Sequence, residues 1–174
     1  HETIGNKTAW NAEYAYDLSN RWKMNIGIAH AFRTPDATDR YGFGGNPNLA
    51  PEVANEIQFG FRFRPDVRQF VSFEFYQNDI EDLIEFDFST FQLRNIRQTE
   101  IRGAQIAYEY NGENFSLRAY LMRQKAHNAT DRVRLLRRAE ESLTVTLTKN
   151  IGIHRIGLSL LASGDREDFG EQKL

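Results

Sequence analysis

Hydrophobic and polar residues alternate along most of this chain with a period of two. Trp10, Ala12, Tyr14, Tyr16 and Leu18 fall on one parity, and Asn11, Glu13 and Asp17 on the other. A strand with one dry face and one wet face has this arrangement, whereas a helix would scatter the same residues around its circumference. Across the turn-like Ser19-Asn20-Arg21 the alternation resumes as Trp22, Met24, Ile26, Ile28 and Phe32 against Lys23, Asn25, Gly27, Ala29 and Arg33. The pair reads as an antiparallel hairpin.

The same text repeats downstream. Ile57, Phe59, Phe61 and Phe63 alternate with Gln58, Gly60, Arg62 and Arg64 and stop at Pro65-Asp66, where proline withholds a ladder donor. Val67 to Phe88 continues as strand to a tip at Ser89-Thr90, and Phe91 to Tyr110 returns to Asn111-Gly112-Glu113, a short-turn signal. Phe115, Leu117, Ala119 and Leu121 follow; then, beyond a charged stretch from Lys125 to Arg138, come Leu143, Val145 and Leu147, a turn at Asn150-Ile151-Gly152, and Ile156, Leu158 and Leu160. The segment 135–141 has some helical propensity, but the threonine-rich alternation directly after it favours the start of a strand.

The pattern predicts about eight long strands in an all-β, antiparallel sheet. Short turns alternate with longer connections at residues 34–51, 87–90 and 126–138, as on the two rims of an outer-membrane barrel. Strands of about ten residues, tilted by about 45°, cover the ~25 Å apolar band of such a membrane, whereas strands in water-soluble domains are typically about 5–6 residues. Trp10, Trp22, Phe63, Tyr110 and Phe115 sit at strand ends, where aromatic girdles form. The competing reading is a water-soluble β-protein whose aromatics fill one core.

Composition narrows this further. The 174 residues suit one domain, here 1–174 as a single partial β-barrel domain. Aromatics make up 13% of the chain, too many for a disordered linker. The net charge of −2 gives no reason to expect nucleic acid as a partner. With no cysteine there is no disulfide, thiolate nucleophile or thiolate metal site. No run of about 20 apolar residues is present for a membrane-spanning helix, but a barrel hides its apolar face in the alternation. The chain begins at His1 with neither initiator Met nor signal peptide.

Several motifs then become specific. The loop Tyr41-Gly42-Phe43-Gly44-Gly45-Asn46-Pro47-Asn48-Leu49-Ala50-Pro51-Glu52 resembles the NPxLxPE element of TonB-dependent outer-membrane receptors, here NPNLAPE leading into a strand. Tyr76-Gln77-Asn78-Asp79-Ile80-Glu81-Asp82-Leu83-Ile84 resembles the family's Y-x-N-D-[IV]-x-D-L-I strand. Ile101-Arg102-Gly103-Ala104-Gln105 is similar to [IV]-[KR]-G-x-E with Gln105 in place of Glu, and Leu135-Leu136-Arg137-Arg138-Ala139 is similar to L-x-R-R-A. YGFGGNPNL is nearest the cobalamin-receptor branch. The resemblance covers roughly residues 32–169, in order.

The resemblance implies a transmembrane β-barrel segment, part of a barrel of about 22 strands, with plug and TonB box absent and Leu174 in place of the expected terminal aromatic. On that reading the chain is a C-terminal barrel fragment, truncated at both ends, of a receptor in the outer membrane of a Gram-negative bacterium. Such a receptor takes up a scarce metal-bearing ligand, cobalamin or a ferric siderophore, and meets TonB through the missing plug region. Its surroundings are outer-membrane lipid and lipopolysaccharide. No cofactor is implied. Tyr41, Phe43 and Asn46 are the substrate-binding candidates of the first long loop, and Arg132 that of the last.

Other chemistry is weighed on the residues. An enzyme needs a nucleophile, a base and an orienting group converging on one point; His30 lies at an apolar-parity position, and no triad can be named. A small closed barrel, either a hydrolase or a structural porin-like protein, is the alternative. Asp79, Glu81, Asp82, Glu85 and Asp87 are open to cation binding or to a solvated strand extension split between faces. Arg132, Arg134, Arg137 and Arg138 are open to phosphate, including that of lipopolysaccharide, or to pairing with Asp131, Glu140 and Glu141.

Overall fold

The computed structural model describes residues 7–129, 134–135 and 138–165. Eight strands occur in chain order: β1 (Trp10–Asp17), β2 (Trp22–Arg33), β3 (Glu52–Phe63), β4 (Gln69–Asp87), β5 (Gln92–Asn111), β6 (Phe115–Asn128), β7 (Glu141–Ile151) and β8 (His154–Ser163), with one short helix, α1 (Ala37–Tyr41), between β2 and β3. Each strand pairs antiparallel with the next in a single sheet of order β1 to β8. Among the described residues β1 and β8 do not pair with each other. The eight strands therefore form an open wall, and the small closed barrel of the alternative reading is not formed.

Short turns gather at one rim. Ser19 Oγ accepts from Arg21 N and Trp22 N at 3.3 and 3.2 Å, and Asp66 Oδ1 accepts from Arg68 N at 2.8 Å; both side chains mimic backbone acceptors. Val67, expected to open a strand, lies fully exposed in the second turn, and β4 begins at Gln69. At the opposite rim β6 runs on to Asn128, past the boundary near residue 126 where the sequence suggests a loop.

The apolar band is continuous and oblique. Tyr16, Met24, Phe61, Phe73, Ile106, Leu121, Leu143 and Ala162 are successive ladder partners across all eight strands, and every one is apolar or aromatic. On β1 this row is the edge of the band nearest the short turns, below Trp10, Ala12 and Tyr14. On β8 it is the far edge, above Leu160, Leu158 and Ile156. The band thus slides by six residues over seven strand steps. At ~3.3 Å per residue and ~4.8 Å between strands, that slope sets the strands roughly 30° from the normal of the band, close to the ~35–45° tilt of membrane barrels.

Among the described residues nothing covers this face. Tyr14 is 61% exposed, Phe75 52% and Leu158 68%. The buried apolar residues are instead Leu49, Ile96, Ile101, Ala126 and Leu135, all toward the long-loop rim. A water-soluble domain with its aromatics in one core would show the reverse.

β4 and β5 overshoot their neighbours. β3 reaches β4 only as far as Glu81, and the β6 side reaches β5 only as far as Gln98, whose carbonyl accepts from Ala129 N, so Asp82–Asp87 and Gln92–Arg97 extend beyond the wall as an arm. At its base Asp82 has φ 57°, and the ladder steps from Glu81↔Gln98 to Leu83↔Ile96, omitting Asp82 and Arg97. Leu83 and Ile96 then join Ile80, Tyr76 and Ile101 in one apolar cluster, although plain alternation would put them on the opposite face. The facing of both strands inverts at this point with no change of register.

The long loop between β2 and β3 is held by charge. Arg33 forks onto Glu52, with Nε to Oε2 and Nη2 to Oε1 both at 2.9 Å, and gives Nη1 to Asp39 Oδ2 at 2.8 Å. Glu52 Oε1 also accepts from Ile84 N at 2.8 Å, which ties the arm to the same point. The Glu52 carboxylate, helped by Asp39, holds the Arg33 guanidinium protonated well beyond its ordinary range. Asp36 and Asp39 cap α1 reciprocally; that helix was not expected from the sequence.

Two outcomes follow for the full-length protein folded into vesicles. Phe59→Arg, in the middle of the apolar face, should destabilise it by about 2–4 kcal/mol, while Thr146→Arg on the opposite face should cost under about 1 kcal/mol, measured by denaturant titration of the folded, heat-modifiable form. Glu52→Ala should cost about 1–3 kcal/mol, because it removes a bidentate ion pair and leaves Ile84 N without its acceptor. Equal stability with and without the Glu52 carboxylate would show that the fork does not hold the loop.

Candidate functional site

Residues 42–50 lie along one face of the arm. Gly44, at φ 66°, accepts from Leu93 N at 2.6 Å and packs so closely on the Phe86 ring that a side chain there would collide with it. Asn46 Nδ2 donates to Leu93 O and its Oδ1 accepts from Asn48 N, both at 2.9 Å. Asn95 completes the seam: its Oδ1 accepts from Ala50 N at 2.9 Å, and its Nδ2 donates to Ala50 O and Asp82 O at 3.1 and 2.6 Å. The NPNLAPE element is therefore a clamp on the arm, and Asn95 braces the inverted residue Asp82.

The clamp brings aromatics together at the tip. Tyr41 is 75% exposed and Phe43 90%. Phe43 stacks on Phe86 with centroids 6.4 Å apart, and Phe86 meets Phe88 edge-on at 4.6 Å. Phe91, also exposed, holds a φ of 55°, a left-handed backbone that a bulky residue adopts only at a cost. The sequence pointed to Tyr41 and Phe43; Phe86, Phe88 and Phe91 come from a different hairpin. Their spacing at a tip was the available signal, but their meeting with the first loop depends on the clamp. Both ends of the Asn46 amide engage backbone groups of the clamp. Arg132 lies outside the described residues, as do Leu136 and Arg137.

Charge flanks the aromatics on the other face of the arm. Arg94 pairs with Asp87 at 3.2 Å and is the ladder partner of Glu85. Burial pushes the Glu85 carboxyl up, with Arg94 and Arg138 opposing. The Ser89 hydroxyl and N–H hold the Asp87 carboxyl below its ordinary range, donating at 2.6 and 2.9 Å. Asp79 and Glu81, by contrast, belong to the band face, opposite Glu100 and Gln98. Among the described residues no three His, Asp or Glu side chains converge where they could hold a metal ion. Arg134 pairs with Glu140 at 3.2 Å.

His30 donates or accepts through Nδ1 with Asn55 Oδ1 at 2.8 Å and stacks on Trp10. Its ladder and same-face neighbours are Trp10, Asn55, Ile28 and Phe32. A base and an orienting group are present, but none of these neighbours carries a hydroxyl to act as nucleophile.

The face opposite the apolar band is polar and hydrogen-bonded. Gln105 Nε2 donates to Glu74 Oε1 at 2.5 Å while its Oε1 accepts from Tyr120, and Tyr76 donates to Gln124 at 3.0 Å. Tyr76 packs against Gly103 and Asn25 against Gly60, each filling the space a side chain there would need.

Comparison with known proteins agrees with this architecture. The family model described as TonB dependent receptor-like, beta-barrel, matches residues 2–150. Among solved structures, the copper transporter OprC is 20% identical with a TM-score of 0.74, the match covering 90% of this chain and 26% of that one. The ferric-catecholate import receptor Fiu from K12 E. coli is 19% identical with a TM-score of 0.73, covering 93% and 25%. The siderophore receptor PirA from Pseudomonas aeruginosa is 19% identical with a TM-score of 0.72, covering 90% and 30%. The chain thus spans about a quarter to a third of the length of these proteins, and at such identities the likeness is one of fold. The family match, in contrast, takes in most of the sequence, and the chain belongs to the TonB-dependent receptor β-barrel family.

Proposed function

We propose that this chain is the barrel portion of an outer-membrane receptor that takes up a scarce metal-bearing ligand by TonB-coupled active transport in a Gram-negative bacterium. The observation that carries this reading is the oblique apolar band, open to solvent on every strand. Lipid is the partner that covers such a face, and the polar wall behind it lines the path of the ligand. In the intact receptor the wall is one part of a barrel of about 22 strands. Arg102, Arg123 and Lys125 stand on the band face just above its edge, and cations there suit the phosphates of lipopolysaccharide.

Ligand capture falls to the long-loop rim. Tyr41 and Phe43, joined by Phe86, Phe88 and Phe91, offer apolar area for a large, partly flat ligand, and Arg132 supplies a cation. Asn46 shapes the loop. Cobalamin is the first candidate, on the YGFGGNPNL motif, and a ferric siderophore the second; the names of Fiu and PirA keep iron chelates in the comparison.

Titrating cobalamin and a ferric catecholate against the full-length receptor in detergent tests the reading. One of them should bind at nanomolar to micromolar concentration, and Phe43→Ala should weaken that ligand about tenfold. Phe91→Gly should weaken binding while stabilising the hairpin by up to about 1 kcal/mol, because glycine adopts the left-handed backbone freely. Unchanged affinity in both variants would remove the aromatic tip from the site.

The tip also has a predictable pH dependence. The Asp87 carboxyl is depressed by its Ser89 bonds, so the order it confers is complete above the ordinary carboxylate pKa of 3.8 and is lost as pH falls through the lower, folded value. Affinity should stay flat from about pH 8 to about pH 5 and drop only in stronger acid, and Asp87→Asn should weaken binding at neutral pH. A decline already at pH 6 would point to the raised Glu85 carboxyl or to a histidine in place of Asp87.

A further inference from the structure

At the short-turn margin of the apolar band one charge stands among apolar side chains. Phe115, Lys149 and Ile156 are successive ladder partners across β6, β7 and β8. Lys149 shares the parity of Leu143, Val145 and Leu147, so it belongs to the band face. Beside it the Phe115 ring lies 5.9 Å from that of Tyr110. Among the described residues Lys149 has no carboxylate within ion-pair distance, and Glu113 of the adjoining turn is 3.5 Å from Arg68. The turn beyond Lys149 is apolar too. Gly152, at φ 58°, and Ile153 join β7 to β8, with Ile151 51% and Ile153 97% exposed. The other three short turns carry Asn20-Arg21, Asp66 and Arg68 around Val67, and Glu113-Asn114.

We propose that the β7–β8 turn binds an anionic glycerophospholipid of the inner leaflet, with its phosphate on Lys149 and its acyl chains against Ile151 and Ile153. A charge on the lipid face of a barrel is costly at depth and tolerable near the interface. A lysine at that edge lays its stem along apolar neighbours and carries its ammonium to the headgroups. Phe115, Ile151 and Ile156 are those neighbours here. The apolar surface is also continuous: Leu160, Leu158 and Ile156, all more than half exposed, lead down to Ile151 and Ile153, so what covers the band covers the turn. Short turns lie on the periplasmic side of such barrels, which makes the lipid a phospholipid. A zwitterionic headgroup brings its own cation to the phosphate, whereas an anionic one leaves the phosphate to Lys149. This inference rests on the band facing lipid; it adds the place and the headgroup class, and it is independent of the transported ligand.

The test is photocrosslinking of the full-length receptor folded into vesicles of phosphatidylglycerol and phosphatidylcholine in equal amounts. With Ile153→p-benzoylphenylalanine, mass spectrometry should find phospholipid adducts in which phosphatidylglycerol exceeds phosphatidylcholine at least about threefold. Adding Lys149→Gln should bring that ratio close to one, while Lys149→Arg retains it. Equal heat-modifiability of the Gln and Arg variants separates lost binding from lost folding. The same crosslinker at Phe75, within the band, should take both lipids without preference. Lipid adducts at Phe75 but none at Ile153 would overturn this proposal alone, and so would a ratio near one before Lys149 is changed, a ratio indifferent to Lys149→Gln, or a polypeptide adduct at Ile153 in intact outer membranes. The absence of lipid adducts at Phe75 as well would overturn the lipid-facing reading of the band together with it.

Discussion

A peptide N–H or C=O in hydrocarbon has no water to replace a missing partner, and an unpaired group there costs several kcal/mol. Within this wall that requirement is met by antiparallel pairing between consecutive strands from Trp10 to Ser163, save along the outer edges of β1 and β8. Antiparallel pairing in turn forces side chains to alternate, which gives the wall one apolar and one polar face. It also governs what may stand in the wall. All four prolines, Pro35, Pro47, Pro51 and Pro65, lie outside the strands, since each would remove a donor. The long-loop rim is freed from this demand. The strained Phe91, the helix α1 and the gap in the ladder at Asp82 all occur there.

The strands were legible because a long period-two pattern has no helical equivalent, and because the turn residues Ser19, Pro65-Asp66 and Asn111-Gly112 interrupt it at one rim. Their mutual register was not, because a shift of β2, β3 or β4 by two residues leaves the same face apolar. The helix α1 escaped because five residues carry no periodic signal, and its Asp36 and Asp39 reciprocal caps look in the sequence like ordinary loop acids. The inversion at Asp82 escaped for a different reason. Nothing is inserted there, so the acidic run reads as continuous alternation, while the backbone of a single residue moves Glu85 and Asp87 to the face opposite the one counted for them.

Of the candidate site, the loop residues were visible and their company was not. Phe43 meets Phe86 only because Gly44, Asn46 and Ala50 are pinned to Leu93 and Asn95 on a strand more than 40 residues away, and Glu52 secures the arm from below through Ile84. Contacts between hairpins of this separation depend on the whole sheet and leave no local trace. The motif that resembles the family's NPxLxPE element thus has a mechanical meaning here: its amide and carboxylate side chains fasten one hairpin to the next.

The break in the ladder at Asp82 and Arg97 has one more result. Because both strands omit a residue together and the register resumes unchanged, the length of the segment beyond is independent of the register of the wall beneath it. Paired additions or deletions between Leu83 and Ile96 would shorten or lengthen the hairpin without shifting any side chain of the spanning region. The tip is in effect an interchangeable tool head on a fixed handle, a part that evolution or an engineer can replace while the membrane-bound scaffold stays as it is.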